Sequence, residues 1–524
     1  MEMPQARTAM ALIDEMAARH PGREALVGGD VRYSWAELRG RVRALAKGLH
    51  AAGVRRGDKV AILMGNRPDW LIADFAIMAL GGVMVAANTW ATARELAYQL
   101  SHSECRVLLL ADNFLGRDYP ALIGEARAEA YDLSGLERIF CIADGALPDG
   151  IENFEQLWGL GEDVPDSEID AAQAAVRPED IACLLYTSGS TALPKGVLLQ
   201  HFALIENMWG IGERLHITQE DRLWLGVSLF WGLGCENALF ALWTHGACIV
   251  LQEHFDAGQA LGLIETERCT VYYGTPNMTL ALAEHPDRAA RDISTLRIGA
   301  TLGSPEQIRA LVDLGVGQAC QIYGLTETYG NCALNDAHDS LARRSESIGR
   351  ALPGNDMIIV DRETGRRLPT GEVGEIRLKG YVTPGYYKDP EKTAEAFDRH
   401  GYFRTGDLGY VDADGYFYFR GRAKELIKTG GINVSPAEIE EVLMGHAAVE
   451  LAYVIGLADE RRDEIVAAVI IAREPVDAET LRALCRESLA AYKVPRKFKF
   501  VTHSDLPLTS TGKLQKNRLK NLFD

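Results

Sequence analysis

The sequence predicts an α/β protein with two domains, and three observations lead to that prediction. From Arg32 to Leu109, short apolar strands alternate with segments of helical spacing. The composition becomes β-rich after about Asp361, and a shorter α/β pattern begins at Glu438. A length of 524 residues corresponds to about two to four domains. We expect a large N-terminal domain over 1–423 and a small C-terminal domain over 424–524.

The N-terminal elements follow from hydrophobic periodicity. The run KVAILMG at Lys59–Gly65 is β-rich, and Asp69–Leu80 has helical spacing. Further apolar strands, bordered by turns or helix-like segments, are predicted at Cys105–Leu110, Ile181–Tyr186, Ala247–Leu251 and Thr270–Gly274. Such strands are typical of parallel sheets that are flanked by helices.

The C-terminal part of the sequence predicts a different arrangement of strands and helices from the N-terminal part. The segments GEVGEIRLKGYVTPGYY and GYFRTGDLGYVDADGYFYFRGR predict a β-rich subdomain with tight turns. Beyond it, the pattern predicts helices at Glu438–Met444 and Ala478–Ala490 and strands at Val449–Gly456 and Ile465–Ala472. These four elements predict a separate small α/β domain.

Composition and charge exclude several classes of protein. With 47% hydrophobic and 24% charged residues, the chain is typical of folded globular proteins. A net charge of -18 disfavours nucleic acid as a partner, and nine cysteines without a C-x-x-C pair predict reduced core thiols. The longest apolar run, Leu71–Trp90, is interrupted by Asp74 and Asn88, and the N-terminus lacks a secretory pattern. We therefore expect a cytoplasmic protein without a membrane span.

The loop TSGSTALPKG, from Thr187 to Gly196, follows a predicted buried strand. Its small residues allow backbone N–H groups to converge on a polyphosphate, its hydroxyls add donors, and Lys195 supplies a cation. It is not a Walker A loop, because Pro194 precedes the lysine and no Ser or Thr follows it. The composition alone is equally typical of an ordinary flexible turn.

Four further segments concentrate polar chemistry. The segment QIYGLTET, Gln321–Thr328, combines an aromatic ring, hydroxyls and a carboxylate, which suit a purine, an α-phosphate and Mg²⁺. The segment YFRTGD ends at Asp407, a carboxylate suited to ribose hydroxyls. GRAKE carries the cations Arg422 and Lys424, and PLTSTGK ends at Lys513.

With these segments in order, the sequence resembles the adenylate-forming superfamily of acyl-CoA and aryl-CoA synthetases, adenylation domains and luciferases. The resemblance runs from about Arg32 to Lys513 and rests on TSGSTALPKG, YGLTET, YFRTGD, GRAKELIK and PLTSTGK. It implies a large N-terminal adenylate-forming domain and a small mobile C-terminal domain. It also implies a two-step reaction, in which a carboxylate and MgATP give an acyl-AMP and a thiol then displaces AMP.

The resemblance assigns roles to individual residues. The nucleotide site is expected to comprise Thr187, Ser188, Gly189, Ser190, Thr191, Lys195, Ala300, Thr301, Gln321, Tyr323, Gly324, Asp407 and Arg422. Within it, Tyr323 stacks on adenine and Asp407 holds the ribose. Thr326 contacts the α-phosphate, Glu327 binds Mg²⁺, and Lys513 bridges the attacking carboxylate and the α-phosphate. These catalytic roles are electrostatic and do not require acid–base chemistry.

The C-terminal residues are expected to serve the thiol. By resemblance, Lys424 is the hinge, and Gly430 and Gly431 lie where pantetheine reaches the acyl-AMP. Residues 481–524 hold ten basic and three acidic side chains, which is either a solvated basic face or a site for the phosphates of CoA. We favour CoA, with Lys493, Arg496, Lys497 and Lys499 as contacts, over the phosphopantetheine arm of an acyl carrier protein.

The acyl pocket of the family maps onto bulky side chains in this sequence. Its predicted lining is Trp209, Trp231, Tyr273, Ile298, Gly299, Ile322 and Tyr329. Flat aromatic walls favour a benzoate-like or anthranilate-like acid, or a compact cyclic or short one. The sequence departs from the family at Ala192, where Gly is usual, and at Trp231, where many relatives have His.

Three alternatives differ in class. The first alternative is a stand-alone enzyme that loads an acyl group onto a carrier protein. The second is a non-catalytic binder of nucleotide or acyl-AMP, and the third is an ATP-grasp or P-loop kinase. The presence of Thr326, Glu327, Asp407 and Lys513 disfavours the binder, and the absence of a Walker loop disfavours the kinase.

Overall fold

The structure, a computed structural model, describes residues 2–187, 194–429, 432–459, 463–489, 492–508 and 514–523. The predicted site residues outside these ranges are Ser188, Gly189, Ser190, Thr191, Gly430, Gly431 and Lys513, together with Ala192. The chain divides into two compact units. The first is Met1–Asp356 with Lys379–Gly401, and the second is Met357–Leu378 with Tyr402–Asp524.

The α-helices of the described residues occur in both units. In chain order they are α1 (Ala9–Arg19), α2 (Trp35–Ala51), α3 (Pro68–Ala79), α4 (Ala93–Ser103), α5 (Tyr119–Arg127), α6 (Glu155–Gly161), α7 (Asp166–Ala175), α8 (His201–Arg214), α9 (Leu239–Trp243), α10 (Ala257–Thr266), α11 (Pro276–Glu284), α12 (Pro305–Leu314), α13 (Leu341–Glu346), α14 (Pro390–Ala396), α15 (Pro436–Met444) and α16 (Ala478–Ser488). Sequence signals mark several starts: Ser34 and Thr92 form capping boxes at α2 and α4, and Pro68 begins α3. A π-helix, Leu233–Ala238, precedes α9.

The strands of the first unit are short. They are β1 (Glu24–Gly28), β2 (Val31–Ser34), β3 (Lys59–Leu63), β4 (Val83–Ala86), β5 (Cys105–Ala111), β6 (Asn113–Phe114), β7 (Arg117–Asp118), β8 (Arg138–Ile142), β9 (Glu152–Asn153), β10 (Ile181–Thr187), β11 (Lys195–Gln200), β12 (Arg222–Leu225), β13 (Cys248–Leu251), β14 (Val271–Tyr273), β15 (Ile298–Thr301), β16 (Gln318–Tyr323), β17 (Ala333–Leu334) and β18 (Arg350–Ala351). All the strands predicted in this part of the sequence are present.

Within the described residues, these strands form two large sheets and a small hairpin of β6 and β7. The first sheet has nine strands in the order β18-β17-β16-β15-β14-β12-β13-β1-β2, and its pairs from β16 to β1 are parallel. The second has seven strands in the order β11-β10-β4-β3-β5-β8-β9. In the first sheet, the carboxyl ends of β12, β14, β15 and β16 therefore meet at one edge, which is where α/β proteins bind ligands.

Helix α3 contacts β1 of the nine-stranded sheet and β3 and β4 of the seven-stranded sheet. It is buried from Trp70 to Ala79, including the carboxylate of Asp74. A helix enclosed in this way is apolar all round, which explains the apolar run starting at Leu71. No helix in the described part of the chain has the length and apolarity that crossing a bilayer requires.

The second unit contains two smaller sheets. Its strands are β19 (Asp356–Val360), β20 (Gly374–Lys379), β21 (Phe403–Val411), β22 (Phe417–Arg422), β23 (Ile427–Thr429), β24 (Ile432–Val434), β25 (Val449–Asp459), β26 (Asp463–Ala472) and β27 (Lys497–Phe500). The first four form one sheet and the other five form the second, in which β25 and β26 are a long antiparallel pair. The α/β fold class and the predicted C-terminal helices and strands are confirmed.

The predicted extent of the β-rich subdomain is corrected at residues 379–401, because these residues belong to the first unit. The segment at Thr383–Tyr387 runs along β11, where Val197 and Tyr386 form an isolated β-bridge. Lys424 lies in the turn Ala423–Glu425 between β22 and β23, and a domain boundary there stays a prediction. All nine cysteines are free and buried, as expected of reduced core thiols.

Candidate active site

The hairpin of β10 and β11 holds both ends of the predicted phosphate loop. Thr187 ends β10, Lys195 begins β11, and the two are directly paired. The hydroxyl of Tyr98 donates a hydrogen bond to the carbonyl oxygen of Pro194 at 3.0 Å, which fixes the chain next to the lysine. The position of Lys195 is therefore set by the sheet.

Tyr386, which the sequence analysis missed, lies beside Lys195. The Lys195 Nζ is 4.8 Å from the centroid of the Tyr386 ring, a cation–π distance. Neighbouring hydrogen bonds hold this segment on β11. Thr383 Oγ1 donates to the carbonyl oxygen of Leu198 at 2.7 Å, and the Tyr387 amide donates to that of Gly196 at 2.8 Å.

The same tyrosine orients the predicted metal-binding carboxylate. Its hydroxyl donates to Glu327 Oε1 at 2.8 Å, and the Glu327 carbonyl oxygen accepts from the Thr383 amide at 2.7 Å. Burial and the negative charge of Glu327 raise the pKa of Tyr386, so its hydroxyl remains a donor. Lys195, Tyr386 and Glu327 thus connect the phosphate loop to the YGLTET segment. The sequence offered no pattern that separates Tyr386 from Tyr387.

The predicted nucleotide residues of the nine-stranded sheet gather at its carboxyl edge. Thr301 ends β15 and Tyr323 ends β16, and the Gln321 Nε2 donates to the carbonyl oxygen of Gly303 at 2.8 Å. Gly324 begins the turn beyond Tyr323, where a Cβ would lie 2.3 Å from the carbonyl oxygen of Gly330. Only glycine permits that approach, so this residue shapes the turn that carries Thr326 and Glu327.

Three predicted acyl-pocket residues share one face of this sheet. The register pairs Tyr273 with Ala300 and Ala300 with Cys320, so strand alternation places Ile298 and Ile322 on the same face as Tyr273. Gly299 lies on the opposite face, where a Cβ would be 2.8 Å from Val316 Cγ1. Gly299 adds no side chain to this face, and its place in the acyl pocket stays a prediction.

The remaining predicted pocket residues are also in the first unit. Tyr329 is buried, has a φ of 56°, and its hydroxyl accepts from the Gln200 amide at 3.1 Å. Trp209, on α8, stacks on His245 with ring centroids 6.4 Å apart. Trp231 lies two residues before the π-helix Leu233–Ala238, and its carbonyl oxygen accepts hydrogen bonds from the backbone amides of Gly234 and Cys235.

Two polar residues of the π-helix were also missed. Glu236 and Asn237 are fully buried, and their side-chain oxygen and nitrogen atoms have no hydrogen-bond partner among the described residues. Burial, and then the charge of Glu327, raise the pKa of Glu236 well above its usual range, so its carboxyl group is neutral. The available sequence signal was a single acidic residue in the apolar run from Leu229 to Trp243.

In the second unit, the predicted ribose ligand is held by the predicted cation. Arg422 Nε lies 3.2 Å from Asp407 Oδ1, and the two residues are paired in β21 and β22. Among the predicted CoA contacts, the Lys493 Nζ lies 2.5 and 2.7 Å from the two carboxylate oxygens of Glu438. Arg496, Lys497 and Lys499 are exposed.

Two family models match the chain. The AMP-binding enzyme model covers residues 13–387, and the model of the AMP-binding enzyme C-terminal domain covers 438–513. These matches agree with the resemblance that the motifs indicated. They also agree with a distinct C-terminal region.

Similar proteins cover almost the whole chain. The mitochondrial medium-chain acyl-CoA ligase of Bos taurus is 31% identical, over 99% of this chain and 88% of its own. A CoA ligase of Rhodococcus jostii, named for a methyl-dioxo-octahydroindenyl propanoyl group, is 33% identical over 96% of both. The structure of the anthranilate CoA ligase AuaEII with anthranoyl-AMP has a TM-score of 0.83 and 28% identity, and covers 99% of this chain and 98% of its own. With its two family domains and these relatives, the chain belongs to the AMP-binding enzyme family as an AMP-forming acid–CoA ligase, which implies the use of ATP and CoA.

Proposed function

We propose that this ligase converts a compact aromatic or cyclic carboxylic acid into its CoA thioester through an acyl-AMP. The observation that carries this proposal is the shared sheet face of Tyr273, Ile298 and Ile322, next to the turn that bears Glu327. One aromatic and two branched side chains fill this face, which suits a ring and leaves little depth for a long alkyl chain.

The relatives support two kinds of acid. AuaEII holds anthranoyl-AMP, and the Rhodococcus enzyme is named for a fused-ring acid, which supports a cyclic substrate here. The bovine enzyme is a medium-chain ligase, which supports an acyclic one. A benzoate-like or anthranilate-like acid remains our first candidate, and a short or medium linear acid is the second.

In the proposed first step, a carboxylate oxygen attacks the α-phosphorus of ATP and pyrophosphate leaves. We assign Lys195 to the outer phosphates, Thr326 to the α-phosphate, and Tyr323 to adenine. Glu327 fits a Mg²⁺ ligand, because its carboxylate is oriented by the Tyr386 hydroxyl and carries hard oxygen donors. When bound, the ion would neutralise charge on the phosphates. Lys513, outside the described residues, is proposed to stabilise the charge that develops at phosphorus.

In the proposed second step, the CoA thiol loses its proton and attacks the acyl carbon, and AMP leaves. A rotation about Lys424 would exchange Lys513 for Gly431 between the steps. The relatives are named for CoA, which favours CoA over a carrier protein as the acceptor. A cytoplasmic location stays a prediction.

The test is a mass-spectrometric assay of the full chain with MgATP, CoA and a panel of aromatic, cyclic and linear carboxylates. We expect AMP and an aroyl or cyclic acyl thioester. AMP with linear thioesters alone would overturn the substrate class. ADP as the nucleotide product, or no nucleotide product with any acid, would overturn the proposed function.

A matched variant separates the two steps. Lys513→Ala is expected to lose acyl-AMP formation by about 100-fold or more, yet to convert supplied acyl-AMP and CoA into thioester at a rate near that of the wild type. Equal loss in both steps would contradict the role proposed for Lys513.

A further inference from the structure

Three buried polar side chains of the π-helix Leu233–Ala238 and of the chain beyond Tyr329 are named the interior polar cluster: Glu236, Asn237 and Asn331. The exposed fractions of these residues are 0%, 0% and 2%. Both carboxyl oxygens of Glu236, both polar atoms of the Asn237 side chain and the Nδ2 of Asn331 lack hydrogen-bond partners within the described residues.

Close approaches place this cluster at the predicted acyl pocket. A Cβ at Gly232, the residue after Trp231, would lie 2.2 Å from Glu236 Oε1, so the carboxyl group folds back over Gly232. A Cβ at Gly330, the residue after Tyr329, would lie 3.1 Å from Asn237 Nδ2. The cluster therefore borders the chain at two predicted pocket walls, Trp231 and Tyr329.

The electrostatic interactions of the Glu236 carboxyl group also link the cluster to the predicted site. A charged Glu236 would raise the pKa of Tyr329, and the charge of Glu327 raises the pKa of Glu236. The carboxyl group of Glu236 is thus within electrostatic range of both a predicted pocket wall and the predicted metal-binding carboxylate.

Such a cluster is costly to maintain unless something binds it. A buried polar group without a partner destabilises the folded state by about 1–3 kcal/mol, and native proteins retain few of them. Apolar side chains of similar size would avoid that cost. A π-helix is itself less stable than an α-helix and is common at functional sites. Both features indicate that the cluster has a ligand.

We propose that the interior polar cluster binds a polar substituent of the acyl substrate, namely a hydroxyl, keto or aromatic amino group remote from the reacting carboxylate. This inference rests on the proposed function and narrows its substrate class from compact acids to polar-substituted compact acids.

The chemistry of the cluster selects neutral substituents. Burial favours the protonated form of the Glu236 carboxyl, which has one O–H donor and an acceptor oxygen. The amides of Asn237 and Asn331 offer both donors and acceptors. A hydroxyl, keto or arylamine group matches these partners, whereas a second carboxylate or an ammonium group would bring a charge into a buried site.

The first test compares matched acids on the wild-type enzyme. Pyrophosphate release is measured with benzoate against its hydroxy and amino derivatives, cyclohexanecarboxylate against its oxo and hydroxy derivatives, and hexanoate against its hydroxy derivatives. We expect at least one substituted acid to exceed its parent in kcat/KM by about 10-fold or more. Equal values within every pair would overturn this inference and leave the ligase function standing, whereas no turnover with any acid would count against the function itself.

The second test uses variants. Glu236→Gln keeps a neutral hydrogen-bonding group and should preserve the preference within about 3-fold, whereas Glu236→Leu should lower kcat/KM for the substituted acid by about 10- to 100-fold and spare its parent. Asp74→Asn is the matched control, because Asp74 is an equally buried carboxyl without a partner among the described residues, on a helix with no predicted pocket residue. Equal loss on both acids in Glu236→Leu would mean a purely structural role. Asn237→Leu gives an independent readout of the same preference if Glu236→Leu does not fold.

Discussion

Glu327 and Glu236 belong to the same unit and carry the same functional group, yet their surroundings are opposite. Glu327 is half-buried at the sheet edge, where the Tyr386 hydroxyl donates to it, and the Lys195 Nζ lies 4.8 Å from the centroid of the same ring. Glu236 is fully buried in the π-helix and has no partner among the described residues. Burial without a partner favours the neutral form of a carboxyl group, as at Glu236.

This difference separates two tasks of an acid–CoA ligase. The phosphate side must hold many negative charges, so its residues are oriented in advance by hydrogen bonds from neighbouring elements. The acyl side must recognise a largely neutral molecule, so its polar atoms are available for the ligand. On this proposal, neighbouring elements orient the Glu327 carboxylate for the phosphate side, whereas the polar atoms of Glu236 and Asn237 are left for the acyl substrate.

The largest expected effect is at Glu327. Glu327→Gln keeps the shape but removes the charge, and we expect kcat for acyl-AMP formation to fall by about 100- to 1000-fold. The same change at Glu236 should have little effect, because that carboxyl is already neutral. ATP–pyrophosphate exchange measures both. Similar losses in the two variants would break the contrast between the two carboxylates.

Tyr386→Phe tests the orientation of Glu327. The change removes the hydroxyl that donates to Glu327 at 2.8 Å but keeps the ring beside Lys195. A hydrogen bond to a charged group is worth about 1.5–3 kcal/mol, so kcat/KM for ATP should fall by about 10-fold or more.

Tyr387→Phe is the control for this variant. Its hydroxyl donates to Glu104 at 2.6 Å, a carboxylate without a predicted role in the site. Activity near that of the wild type in Tyr387→Phe and a clear loss in Tyr386→Phe would support the arrangement, whereas unchanged activity in both would contradict it.

The pH dependence of the free energy of unfolding tests whether a buried carboxyl group is neutral in the native state. Burial raises the pKa of Asp74 well above the usual range, so native protein retains a proton that the unfolded chain releases. As the pH rises above about 4, wild-type stability should therefore fall by up to about 1.4 kcal/mol per pH unit until Asp74 ionises in the native state. Asp74→Asn cannot ionise, so its stability advantage in urea unfolding should be larger at pH 8 than at pH 5. An advantage that does not change with pH would show that Asp74 is not buried in a neutral form.

The sequence alone was sufficient for the fold and the family, because periodicity and motif order are local signals. The strand at Ile181 and the helix at Asp69 were placed within one or two residues. Contacts between segments that are far apart in the sequence could not be predicted from these local signals. The partners of Tyr386 lie on β11 and at Glu327, far from it in the chain, so its segment was assigned to the wrong subdomain.

Glu236 was missed for a different physical reason. An acidic residue in an apolar run is ordinarily exposed or paired, and only the three-dimensional structure shows that this one is buried without a partner. Gly330, which lies beside Asn237, is far from the π-helix in the sequence. The substrate-selecting part of the site was therefore less predictable than the nucleotide part, whose residues cluster in motifs.

The smallest expected effect concerns the C-terminal basic residues. Here too, a side chain that is paired with a carboxylate differs from side chains that are exposed. Lys493 is neutralised by Glu438, whereas Lys497 and Lys499 are exposed on β27. Replacement of both exposed lysines by alanine should raise the KM for CoA by about 2- to 5-fold, because exposed charges contribute roughly 1 kcal/mol or less, and should leave acyl-AMP formation unchanged. Lys520→Ala removes a charge elsewhere in the same unit and is the control. An equal rise in KM in that variant would mean that CoA responds to overall charge, and a loss of acyl-AMP formation would remove the lysines from the CoA site.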